Sequence, residues 1–451
     1  MLPEFVRNAI DTASNAVWSP LTMALLLGTG VFLTVRLRFV QVTHFRQALR
    51  AMVPAQASGA GVLSPFQAFM TALGASIGTG NIAGVATAIV SGGPGALFWI
   101  WLYGFFATAI KFCEAVLGIK YRSVQGDRVS AGPMHYLNEG LGSPRLAWLY
   151  ALVAGVAALT TTPFTQPNSI AVVMESQFAI PPWASGVAIA VLTWLVVIRG
   201  VKSIGRAAER LAPLKVGLYL VGGLIVIFTH AAQLPAVFAL VLREAFSFEA
   251  AGGGAAGVGM MVAMRYGIAR GIYANEAGYG TAAVAYGTAR TDAPVKQGLQ
   301  AVMEVFIVSC VTSTISALVI LTSGVWKSGL TSTAVVAQAF NTAIPTVGGW
   351  IVAFCAFLFG YTTLIGWAYY GEQFLEYAFG LSITKPYRWI YCGLVVFGAM
   401  GKVETIWAWG DLMNGLQVFP NLVGLIGLSG VAASVLRQPK SPQVEAATPR
   451  A

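Results

Sequence analysis

Residues 74–81 read Gly74-Ala75-Ser76-Ile77-Gly78-Thr79-Gly80-Asn81, in the middle of an apolar stretch that begins near Ser64. Glycine costs a helix interior about 1 kcal/mol against alanine. It is commoner in membrane helices, where it permits close packing. Three glycines and an asparagine in eight residues go further and fit a helix that is interrupted. Unwinding a helix inside a bilayer frees N–H and C=O groups that lipid cannot satisfy. Amides freed at the start of the outer half, from Thr79 and Gly80, suit a carboxylate. Carbonyls freed from Gly74, Ser76 and Ile77, with the Asn81 amide oxygen, suit an oxygen-seeking cation such as Na⁺. A zwitterionic α-amino acid with Na⁺ matches that inventory. The glycines do not form a dinucleotide fingerprint, because no strand precedes them and the spacing is G-x-G-x-x-x-G. No phosphate-binding G-x-x-x-x-G-K-[ST] loop occurs, which argues against ATP-driven pumping.

The composition supplies the bilayer. Of 451 residues 57% are hydrophobic and 10% charged, and mean hydropathy is +0.72; soluble domains carry about 25% charged residues. A span needs roughly 20 mostly apolar residues. Eleven such stretches centre near Leu27, Ala83, Ala107, Val156, Ala190, Leu220, Val262, Ser313, Leu358, Leu394 and Leu425. Basic residues then crowd alternate connections: 22 of the 27 Lys and Arg fall on one side, among them Lys215 after the fifth span and Arg265, Arg270, Arg290 and Lys296 after the seventh. By the positive-inside rule the N-terminus is outside and the C-terminus cytoplasmic, as expected of a multi-pass bacterial inner-membrane protein. The net charge of +10 therefore needs no nucleic acid. The segment Val40–Met52, basic among apolar residues, predicts a helix on the cytoplasmic surface.

With the first span and this surface helix (1–53) set aside, ten spans divide into five and five, at 64–229 and 251–436. A polar tail, 437–451, is expected to be disordered. Five is odd, so the second half enters from the opposite face, the topology of an inverted repeat. The fold class is all-α and polytopic, with an interrupted first helix in each repeat. In the second repeat the expected interruption is the cluster Gly252, Gly253, Gly254, Gly257 and Gly259, with Gly253 and Gly257 against the substrate.

Other polar residues in the spans are fewer. Gln166 and Asn168 are two apart and point to different faces of a helix, so that one can face a cavity while the other binds neighbouring backbone. Thr362 and Thr363 can ligate Na⁺, or each can back-bond within its own helix. Trp367, one turn on, can limit pocket volume. Lys111 and Glu114 read as an ion pair near the cytoplasmic boundary with no transport role. Glu304 and Asp411 are candidates for coupling or for buried structural pairs. Four separated cysteines (Cys113, Cys310, Cys355, Cys392) indicate neither zinc nor disulfides. The histidines His44, His135 and His230 lie far apart, so no catalytic or metal constellation is evident and no cofactor is expected. A pore would show repeated polar or charged rings, and none is visible.

The motifs FQAFMTALGASIGTGNIAGVATAIVSGGPGALFWIW (66–101), KFCEAVLGIKYR (111–122), GPMHYL (132–137), QPNSIA (166–171), RYGIARGIYANEAGYGTA (265–282), GWAYYGEQFLEY (366–377) and PNL (420–422) resemble the alanine or glycine:cation symporter family. The likeness covers nearly all spans. It implies a fold similar to the bacterial leucine transporter with one extra N-terminal helix. By that likeness Thr79 and Gly80 hold a substrate carboxylate, with Phe164, Gln166 and Trp367 around the substrate. Ser76 and Asn81 serve one Na⁺; Gly74, Ile77, Thr362 and Thr363 serve another. Small neutral amino acids (alanine, glycine, D-alanine) imported with Na⁺ by alternating access are the implied cargo. A proton-coupled symporter, or one for glutamine or another neutral amino acid, is the alternative. A monomer is compatible with the sequence, which leaves the oligomeric state open. Tyr273-Ala274, Tyr279 and the segment 281–286 depart from the family pattern.

Overall fold

Proline stands in the first turn of many helices here, where its missing N–H is no loss: Pro20, Pro65, Pro144, Pro182 and Pro294 each occupy that place. The computed structural model describes residues 4–54, 57–125, 128–247 and 258–438. An amphipathic helix α1 (Glu4–Val17) leads into α2 (Pro20–Arg36). The basic segment that follows is two short helices, Val40–Thr43 and Phe45–Ala51, parted at His44. Then come α3 (Pro65–Ser76), capped by a reciprocal Ser64/Gln67 box, α4 (Ala83–Gly92), α5 (Ala96–Lys120), α6 (Pro144–Thr160), α7 (Thr162–Phe178), α8 (Pro182–Val197) and α9 (Val201–Thr229).

The second half holds α10 (Val258–Asn275), α11 (Thr281–Gly287), α12 (Pro294–Val305), α13 (Ser313–Thr322), α14 (Val347–Phe379), α15 (Thr384–Met400) and α16 (Val403–Gly427). A β-hairpin, β1 (Ser123–Gln125) with β2 (Arg128–Ser130), lies between α5 and α6. Each of the eleven expected span centres falls in a helix. Among the described residues five helical stretches are long and apolar enough to cross a membrane alone, and two bent pairs bring the number to seven. The shorter apolar helices α2 and α8, the pair α10–α11 and α15 account for the other centres.

The first interruption lies where the glycines predict it: α3 and α4 meet at 56°, joined by extended Gly78 and one 3-10 turn, Thr79–Asn81. The second does not. Gly253 and Gly257 lie outside the described residues, and α10 passes Gly259 without a break to Asn275. Its interruption is residues 276–280, where Glu276, Gly278 and Gly280 all take positive φ. The expected tail lies outside the described residues from 439 onward.

Two of the basic residues assigned to cytoplasmic connections are buried within helices instead: Lys215 in α9 and Arg270 in α10. Lys215 is fully buried although Lys202, Arg206 and Arg210 on the same helix are exposed. The helical period puts it on the face of Ile204, Ala208, Ala212 and Tyr219, all of them buried.

Candidate functional site

The backbone freed at the first break is met by side chains from four other spans. Thr363 Oγ1 of α14 donates to Ala75 O (2.7 Å), and Ser316 Oγ of α13 to Asn81 O (2.6 Å). Asn81 Nδ2 returns to Ser76 O (3.1 Å), while its Oδ1 accepts from Thr312 Oγ1 (3.1 Å). Gln166 of α7 sends Oε1 to both the amide and the hydroxyl of Thr79 (2.9 Å each). The Thr79 amide thus already holds an oxygen where a carboxylate is expected. Between α12 and α13 the span takes a π-helical turn, Phe306–Thr312, of the kind often found at functional sites. Thr312 closes this turn and reaches Asn81; Ser309 within it accepts from Asn275 Nδ2 (3.0 Å).

At the second break the exposed backbone is again covered by polar side chains. Glu114 Oε1 accepts from Gly278 N (2.9 Å), Gly280 N (3.1 Å) and Asn421 Nδ2 (2.8 Å), an anion set at the start of α11. Tyr103 donates to Ala277 O (2.8 Å) and Tyr150 to Tyr279 O (2.6 Å). Lys111 donates to Asn275 O (2.6 Å) and Ser76 Oγ (3.2 Å), tying the two breaks together. Its ion-pair partner is Glu304 (2.9 Å), which also accepts from Ser76 Oγ and from Tyr286 Oη (2.8 Å). The expected Lys111–Glu114 pair at the membrane boundary is therefore corrected. Three residues apart on one helix, the two reach different partners at the centre of the fold.

Between the breaks lies a pocket lined by Gly78, Gly80, Gln166, Tyr273, Glu276 and Trp367, among others. Its floor is tight. A Cβ on Gly78 would stand 2.6 Å from Thr363 Oγ1, and one on Gly80 2.6 Å from the Tyr273 ring. Glu276 brings a buried carboxylate to the wall, with Oε1 accepting from Trp367 Nε1 (2.6 Å) and Oε2 from Thr281 Oγ1 (2.8 Å). Above Tyr273 sits Trp407 (ring centroids 4.9 Å apart), and over Trp407 lies Arg270, in a two-pronged ion pair with Asp411 (2.6 and 3.1 Å).

The residues singled out from sequence distribute unevenly over this geometry. Ser76, Gly78, Gly80, Gln166, Thr363 and Trp367 line the pocket. Asn168 turns away and donates to Gly401 O (2.7 Å) at the end of α15. Phe164 is half-buried beside Gly398 of α15 and does not line the pocket. Three of the oxygens expected to hold a second Na⁺ face an ammonium instead: Lys215 Nζ donates to Gly74 O (2.9 Å), Ile77 O and Thr362 Oγ1. Thr362 also back-bonds to Leu358 O (3.0 Å). Sequence reasoning did not single out Glu276, gave Lys111 no transport role and placed Lys215 in a cytoplasmic connection. Glu276 and Lys111 were nevertheless visible as charges inside apolar stretches, which mark functional positions by default.

Comparison with known proteins agrees with this architecture. A model of the sodium:alanine symporter family matches residues 3–449. A sodium/alanine symporter, AgcS of Methanococcus maripaludis, is 38% identical over 94% of this chain and 95% of its own length. A probable sodium/glutamine symporter, GlnT of Bacillus subtilis, is 33% identical over 97% and 91%. Among solved structures, MhsT in complex with L-phenylalanine superposes with a TM-score of 0.59 at 12% identity, covering 85% of this chain and 98% of that one. A manganese transporter from Eremococcus coleocola gives 0.56 at 16%, covering 84% and 88%. These two likenesses speak to the fold alone, a helical transporter fold built on inverted repeats. A transporter rather than an enzyme, and multi-pass in the membrane, the chain belongs to the sodium:alanine symporter family.

Proposed function

We propose that the chain imports a small neutral amino acid, alanine or glycine in either hand where one exists, together with Na⁺. The observation that carries this reading is the meeting of two broken helices at one pocket, with the Glu276 carboxylate on its wall and backbone amides at the start of the outer half-helix beside it. The substrate carboxylate replaces Gln166 Oε1 on the Thr79 amide and reaches the Gly80 amide. Its ammonium faces the Glu276 carboxylate, which Trp367 and Thr281 hold in place. Tyr273 and Trp367 on the pocket wall favour a small side chain, and so alanine over the glutamine named for the Bacillus relative. Na⁺ sits by Ser76 O and Asn81 Oδ1, with the Thr312 hydroxyl alongside.

The two repeats, 64–229 and 251–436, supply the moving parts. With the N-terminus outside and the C-terminus cytoplasmic, one bundle rocks against the other and opens the site inward. The driving force is sufficient. A potential of 100 mV gives about 2.3 kcal/mol per charge, and a roughly tenfold Na⁺ gradient about 1.4 kcal/mol. Together they sustain a roughly several-hundred-fold gradient of amino acid per Na⁺.

The test is labelled alanine uptake into proteoliposomes with and without an inward Na⁺ gradient, challenged with unlabelled glycine, D-alanine and glutamine. Uptake is expected to require Na⁺, to saturate, and to yield to the two small competitors but not to glutamine. Uptake that persists without Na⁺ and follows pH would assign the coupling to protons.

A further inference from the structure

The first break offers two clusters of oxygen, and one of them already holds a cation that cannot leave. We infer that the Lys215 ammonium permanently occupies one of the two cation positions, so that each amino acid crosses with a single Na⁺. The inference rests on the symport reading above and deepens it by fixing the number of ions.

The geometry is a complete coordination shell. An ammonium has three donors, and Lys215 Nζ spends all three, on Gly74 O, Ile77 O and Thr362 Oγ1. These are the oxygens that a free Na⁺ would need between α3 and α14. The side chain is fully buried, and its ammonium also lies 5.2 Å from the centre of the Phe359 ring. In the other cluster Ser76 O accepts from Asn81 Nδ2 and Asn81 Oδ1 from the Thr312 and Ser313 hydroxyls, while the nearby Lys111 ammonium reaches Ser76 through its Oγ (3.2 Å) and is paired with Glu304. That position is the one left for an exchangeable ion.

Charge balance gives an independent count. Around the two breaks the buried ionisable groups are Lys111 and Lys215 against Glu114, Glu276 and Glu304, all below 5% exposed. Arg270 and Asp411 neutralise each other farther out. With every group ionised the central set carries one excess negative charge. A zwitterionic amino acid adds none. One Na⁺ brings the occupied site to neutrality, whereas two would leave an uncompensated positive charge out of water, which proteins avoid because its desolvation is not repaid. Replacing Lys215 by a neutral residue removes one positive charge and uncovers three oxygens, so both arguments then call for a second Na⁺.

The experiment measures ²²Na⁺ and labelled alanine fluxes together in proteoliposomes of the full chain, and ²²Na⁺ bound per purified chain at saturation. The wild type is expected to move one Na⁺ per alanine, with a hyperbolic Na⁺ dependence, and to bind one ²²Na⁺. Two Na⁺ per alanine in the wild type would overturn the inference while leaving the symport reading intact. No Na⁺-dependent uptake at all would overturn both. Lys215→Ala is expected to bind two ²²Na⁺ with a sigmoidal dependence. A variant that still binds alanine yet takes up only one ²²Na⁺ would contradict the tethered-cation assignment. Should that variant fail to fold, the wild-type flux ratio decides the question by itself.

Discussion

At the scale of single residues, the glycines of the first break are not equivalent. The nearest atoms to a Cβ placed on Gly74 stand 3.6 Å away, an ordinary contact, whereas on Gly80 the Tyr273 ring is at 2.6 Å. Overpacking a filled site costs about 1–3 kcal/mol. Gly80→Ala is therefore expected to reduce alanine uptake by more than about tenfold, about 1.4 kcal/mol, while Gly74→Ala transports within about twofold of the wild type. Equal losses in both, at matched expression, would remove the close approach of Gly80 from the site. Glu276 makes a second residue-level prediction. A charged hydrogen bond contributes about 1.5–3 kcal/mol, so Glu276→Gln should raise the alanine KM roughly tenfold or more. An unchanged KM would show that the substrate ammonium lies elsewhere. Gln166, Trp367 and the 74–81 string were legible from sequence because polar or aromatic residues in an apolar span have few other reasons to be there. Lys215 was not. Its neighbours Lys202, Arg206 and Arg210 make the whole region look cytoplasmic, and only the period of α9 separates its buried face from theirs.

At the scale of elements, the two interruptions are stabilised by different chemistry, and this explains why one was found and the other misplaced. In the first, glycine density is the signal, and neighbouring hydroxyls and amides together with the Lys215 ammonium cover the exposed backbone. In the second, Asn275-Glu276-Ala277-Gly278-Tyr279-Gly280 contains only two glycines, and a denser cluster at 252–259 drew attention away. What holds this break open is Glu114 of α5, 164 residues before Gly278, accepting from two backbone amides and from Asn421. No local pattern reports a partner that distant in sequence. Removing that carboxylate leaves buried donors unmet at about 1–3 kcal/mol each. Glu114→Ala is thus expected to lose about 2–5 kcal/mol of stability, read as a fall in the unfolding midpoint in detergent. A midpoint equal to that of the wild type would mean that the break does not depend on Glu114.

At the scale of the whole molecule, hydropathy alone placed all eleven span centres within helices, because lipid demands apolar residues on an entire surface and the demand repeats along the chain. The expectation of a cytoplasmic C-terminus rests on the basic residues by the same global logic, and burying Lys215 and Arg270 within helices leaves most of the charge asymmetry standing. The bundle closes above the pocket through Tyr273, Trp407 and the Arg270–Asp411 pair, which join α10 to α16. Ligands that bind only the assembled site stabilise the whole fold, by about 2.7 kcal/mol at a hundred times Kd. Alanine should accordingly raise the unfolding temperature in Na⁺ but not in choline, and an equal rise in both would break the coupling. The most direct test of the central claim is an experimental structure of the full chain with alanine and Na⁺ bound. The account predicts alanine between the two breaks, its carboxylate on the Thr79 and Gly80 amides and its ammonium by Glu276, with Lys215 still on Gly74, Ile77 and Thr362. A continuous helix through residues 74–84, or alanine bound away from both breaks, would contradict it.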